Sequence, residues 1–139
     1  MKGNKLPILL AICVLLIATL ACAGGSVSTT TANIANAHMA SDVDDTNQTS
    51  VFSPSDTGFY CFFDLKNAPD DTAVKGVWTL VQAEGYTSNA VIDEATLTSG
   101  SDSIYFSLER GADPWPVGQY KIDLYINDKL MQTINFEVR

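Results

Sequence analysis

Basic residues are scarce in this chain: eight Lys and Arg stand against 16 Asp and Glu, for a net charge of -8. Nucleic-acid binding draws on clustered cations that displace counterions from phosphate, so nucleic acid is not an expected partner. Histidine is scarcer still, with His38 alone in 139 residues. Catalysis by a serine or cysteine nucleophile needs a base beside it, and His38 falls in a stretch expected to lack structure. Of three cysteines, Cys13, Cys22 and Cys61, only Cys61 belongs to the expected folded part. An intradomain disulfide is therefore excluded, and zinc has too few ligands. Cys61 alternates with Phe59 and Phe63 and has no cationic neighbour on its strand, the setting of an inert core thiol. Carboxylate pairs such as Asp93-Glu94 lack a second acid across a cleft. No catalytic residue, metal or cofactor is expected, and the chain reads as non-enzymatic.

What the N-terminus does contain is an export pattern. Lys2 and Lys5 precede an uncharged apolar run from Leu6 to Ala23, the charged start and apolar middle of a signal segment. Its end, Thr19-Leu20-Ala21-Cys22, resembles the lipobox of bacterial lipoproteins, with Ala21 and Cys22 as the matching positions. That resemblance implies that residues 1–21 are removed and that Cys22 is lipidated. The protein would then sit at the cell membrane or cell surface, held by several acyl chains at ~0.8 kcal/mol per buried methylene. The alternative is an uncleaved transmembrane anchor, since the run is close to the ~17 to 25 residues that span a bilayer.

Residues 22–50 are rich in Gly, Ser, Thr, Ala and Asn, with isolated Ile34 and Met39. So few large hydrophobes cannot offset ~1 to 2 kcal/mol of ordering entropy per residue, and a flexible tether is expected there. Asp42-Val43-Asp44-Asp45 lacks the glycine and distal glutamate of an EF-hand loop and is read as a solvated acidic patch.

Residues 51–139 carry the fold. Val51-Phe52 opens a short edge strand. Phe59, Cys61, Phe63 and Leu65 then alternate with more polar neighbours, as do Val74, Gly76, Trp78 and Leu80, and Tyr120, Ile122, Leu124 and Ile126. This is the period of half-buried strands. Weaker strands are expected at Ala90 to Leu97 and Ser103 to Leu108, and no helical period competes. Asn127-Asp128 marks a hairpin. A two-residue turn there puts Ile134 on the wrong face relative to Ile122, so either a third loop residue or a β-bulge near Gln132-Thr133 is required.

Cys61 on one strand, Trp78 on the next and Tyr120 two positions before Ile122 resemble the immunoglobulin-like plan, with Trp-Pro-x-Gly-x-Tyr at residues 115–120 as its corner. The resemblance implies an all-β, antiparallel sandwich of about seven strands. It further implies a core built on Cys61, Trp78, Tyr120 and Ile122, with the inter-sheet disulfide replaced by a thiol near an aliphatic side chain. It also makes the strands of Trp78 and Tyr120 neighbours, so Val77, Val81 and Tyr125 are expected on one outer face as a partner-binding surface. Three functions fit: a surface-exposed module holding an envelope or extracellular protein, a small carbohydrate-binding module using exposed aromatics such as Tyr86, Tyr105, Trp115 and Tyr125, or a structural spacer.

Overall fold

The computed structural model describes residues 31–139; the export segment and Cys22 lie outside them. Eight strands form two sheets: β1 (Asn33–Ala40), β2 (Val51–Phe52), β3 (Gly58–Lys66), β4 (Thr72–Ala83), β5 (Ala90–Ser99), β6 (Asp102–Glu109), β7 (Gly118–Ile126) and β8 (Lys129–Val138). One sheet has the order β1-β3-β6, the other β2-β8-β7-β4-β5. Among the described residues there is no helix, and none that could cross a membrane.

The folded unit starts at Thr31, not Val51. The latter part of the expected tether is structured: β1 pairs antiparallel with β3, placing Met39 beside Cys61 and Ile34 beside Leu65, with an irregularity between Ala35 and His38. Met39 and Ala40 are buried. Backbone pairing and two small buried contacts order a strand whose composition alone does not predict one. A further departure is β2, which runs parallel to β8, so the sandwich is not wholly antiparallel.

The inward sets expected from the alternation are the core. Phe59, Cys61, Phe63 and Leu65 of β3 face Val74, Trp78 and Leu80 of β4 and Tyr120, Ile122, Leu124 and Ile126 of β7, all buried. Trp78 pairs directly with Ile122 across β4 and β7. Phe59 is the aromatic hub, with ring centroids 4.8 Å from Phe52, 4.8 Å from Phe136, 5.5 Å from Tyr120 and 4.2 Å from Trp115. Gly76 faces Phe106 from the opposite sheet so closely that a Cβ there would lie 2.8 Å from the ring.

The β7–β8 hairpin takes the bulge. Ile126 pairs with Lys129 across Asn127-Asp128, both with positive φ as a primed two-residue turn requires. Leu124 then opposes Gln132 while Tyr125 opposes Leu130, so Met131 is the extra residue and Ile134 comes back opposite Ile122.

Candidate functional site

The corner after β6 is held rigidly. The Tyr120 hydroxyl donates to the Pro116 carbonyl at 2.6 Å, and Trp115 Nε1 donates to the Asp56 carbonyl at 2.8 Å while its ring stacks on Phe59. Gly118 passes so close to the Gln82 carbonyl and Ala83 that no side chain fits. Burial, and after it the neighbouring Tyr86, push the Tyr120 phenol up to about 12, so it stays a protonated donor.

Across from this corner the β4–β5 loop turns through Gly85, with φ of 84°, and presents Tyr86. Trp78 pairs with Asp93 and Thr79 with Val91, so Ile92 is a bulge residue on β5. The two loops and the bulge meet in an apolar pocket of about 280 Å³, lined by Leu80, Tyr86, Ala90, Ile92, Trp115, Pro116 and Tyr120. Tyr86 is 57% exposed and Ile92 40%. The wall of Trp115 and Pro116 is fixed, while Tyr86 and Ile92 form an open lip.

The surface expected from the sequence looks different. Val77 and Tyr125 do share the outer face of the five-stranded sheet, Val77 opposite Asp123 and Tyr125 opposite Lys75, whereas Val81 sits at an irregularity between Leu80 and Gln82. All three are only half-exposed. Lys75 lies over the Tyr125 ring at 4.8 Å, Lys121 pairs with the buried Asp123 at 3.3 Å, and the Thr133 hydroxyl donates to Asp123. Charged and polar groups on this face pair with one another, and Lys75 covers the Tyr125 ring.

The outer face of the three-stranded sheet carries a second concavity, again about 280 Å³, bounded by Asn36, His38, Asp45, Phe62, Asp64, Ser103 and Tyr105. His38 Nδ1 donates to the Asn36 carbonyl at 2.8 Å and Nε2 faces both Asp45 carboxylate oxygens at 2.9 Å. Burial lowers the imidazole's pKa, but the Asn36 carbonyl and the Asp45 and Asp64 carboxylates outweigh it and hold it above 6.5. Both ring nitrogens face acceptors, an arrangement that favours the protonated ring over a general base. Cys61, fully buried, is pushed by that burial up to about 12, which suits an inert thiol. Asp42 of the acidic patch serves the turn itself, accepting from the Thr46 and Asn47 amides. Among the described residues no three His, Cys, Asp or Glu side chains gather as a metal site would require.

Among solved structures, an immunoglobulin-like protein from Pseudomonas aeruginosa superposes with a TM-score of 0.52 at 14% identity, covering 81% of this chain and 100% of its own. The domain is an immunoglobulin-like β-sandwich. An alkylpurine DNA glycosylase from Pseudomonas fluorescens, solved bound to DNA with an abasic-site analog, also gives 0.52 at 15% identity. Its match covers 78% of this chain but only 30% of the glycosylase. A β-D-glucoside glucohydrolase from Trichoderma reesei gives 0.48 at 16% identity over 19% of its length. These likenesses are of fold. No family model matches the sequence, and no curated protein does.

Cys61, Trp78, Tyr120 and Ile122 are all buried in the core of this sandwich. The sequence marked Tyr86 and Trp115 as candidate contact aromatics but not that they meet in one pocket, because its walls come from segments about thirty residues apart.

Proposed function

We propose that this chain is a membrane-anchored, non-catalytic binding module, lipidated at Cys22, whose immunoglobulin-like domain holds a protein of the cell envelope or extracellular space. The observation that carries this reading is the apolar pocket between the β4–β5 loop and the Trp115-Pro116 corner. A preformed apolar cavity with a rigid aromatic wall and an exposed tyrosine at its lip has the anatomy of an interface anchor point. The bulge at Ile92 and the acids Asp93 and Glu94 blunt the open edge of β5 against strand addition. Docking is therefore by an inserted side chain. The occupant is a large apolar residue of the partner, flanked by basic residues that match the acidity of β5 and of the whole chain.

Two experiments test the two halves. Metabolic labelling with a fatty acid should mark the parent and not Cys22→Ser; an unlabelled Cys22→Ser chain that stays firmly membrane-bound points to an anchor helix instead. For docking, affinity purification with the full-length chain should recover a partner whose binding is lost in Ile92→Lys and kept in Val77→Lys. The reverse pattern moves the interface to the outer face of the five-stranded sheet.

A further inference from the structure

The outer face of the three-stranded sheet holds a feature that protein docking at the two-loop pocket does not use. Phe62 pairs with His38 on β1 and with Tyr105 on β6, so three rings form one row across the sheet. The His38 and Phe62 centroids are 5.8 Å apart with 17° between planes, and Phe62 and Tyr105 are 5.3 Å apart with 36°. Tyr60 extends the row, 6.3 Å from Tyr105. Tyr105 is 46% exposed, more than strand packing requires of a tyrosine.

Along one side of the rings runs a polar rim that is already fixed. One Asp64 oxygen accepts from the Ser103 hydroxyl and the other from the Asn36 amide, each at 2.8 Å. A carboxylate oxygen has a second lone pair, so Asp64 can still accept from a ligand hydroxyl without moving. On the far side His38 is pinned between the Asn36 carbonyl and Asp45. When protonated, the imidazole donates from both nitrogens and offsets Asp45, while Lys66 lies close enough to act on Asp64. In that state each acid of the site has a cationic neighbour, which weakens the drive to bind a free cation.

A row of neighbouring rings beside oriented acceptors suits a ligand with one apolar face and an edge of hydroxyls. A pyranose ring has that form: its C–H face meets the negative face of an aromatic ring, and its hydroxyls reach the rim. The concavity is at the small end of the ~300 to 1,000 Å³ typical of small-molecule sites, a size for one or two rings rather than a long chain. We infer that the Phe62–Tyr105 row, with Asp64 and Ser103 as its polar rim, is a binding site for a neutral sugar.

The test uses the full-length protein in a detergent without a sugar headgroup, on an array of neutral, acidic and amino oligosaccharides, followed by calorimetry with the best neutral one. Binding should fall about tenfold in Tyr105→Ala, the upper end of one aromatic contact, and fall also in Asp64→Asn, which leaves the rings in place. Tyr86→Ala, in the other pocket, should bind like the parent. No binding on the array, a preference for charged sugars, or equal binding by Tyr105→Ala each overturns the inference. Loss in Tyr86→Ala alone also does so, by placing the sugar in the two-loop pocket. Because the two sites share no residue, failure here leaves the protein-docking reading standing, and failure of docking leaves this one.

Discussion

Phe59 is the residue on which the core converges, touching rings from both sheets and from the corner, yet Trp78 and Tyr120 are the residues whose roles the immunoglobulin-like plan specifies. Trp78→Ala removes a fully buried indole and should cost ~3 to 5 kcal/mol. Tyr120→Phe loses only the hydrogen bond to Pro116 and should cost ~0.5 to 1.5 kcal/mol. Thermal melts distinguish them, and an unchanged melting temperature for Trp78→Ala contradicts its place in the core. His38 gives a pH signature. Its folded pKa is raised, so the stability it lends is full below the unfolded value of 6.5 and is lost as pH rises through the folded value. The parent's advantage over Asp45→Asn should therefore shrink as pH rises above 6.5 and through the folded value, read as the difference between their melting temperatures. A difference that grows with pH refutes the His38–Asp45 assignment.

At the scale of elements, the strands with alternating large side chains were legible in the sequence, and so was the need for a correction in the last hairpin. Which correction occurs was not, because a bulge at Met131 and a longer loop bury the same side chains. Strand β1 was illegible for a physical reason. Asn-Ile-Ala-Asn-Ala-His-Met-Ala has small residues and a positive φ at Asn36, and it is held mainly by its ladder to β3. Composition records side-chain burial and not the backbone partner a strand will find. Missing β1 also hid the aromatic row, since His38 then stood in a tether. Gly76 on β4 was recognised as inward, but not that it makes room for Phe106. Gly76→Ala should overpack that contact and cost ~1 to 3 kcal/mol, and adding Phe106→Leu should recover part of the loss in the same denaturation assay. A neutral Gly76→Ala shows that the sheets can separate there at no cost.

For the whole molecule, the start of the domain changes what can be removed. A chain beginning at Val51 loses Met39, Ala40 and β1, one of the two partner strands of β3. It should melt well below one beginning at Thr31; equal melting temperatures would return β1 to the status of a dispensable arm. The domain's two concavities lie on different elements, one between loops at the edge of the five-stranded sheet and one on the face of the three-stranded sheet, so one module has room for a protein contact and a sugar contact without competition. The central claim is that this module captures a protein through the two-loop pocket. Site-specific photo-crosslinking in intact cells, from a photoreactive residue placed at Tyr86 or at Val77, measures it most directly. The account predicts one discrete protein adduct from position 86, abolished by Ile92→Lys, and none from position 77; an adduct from position 77 alone, or none from either, contradicts it.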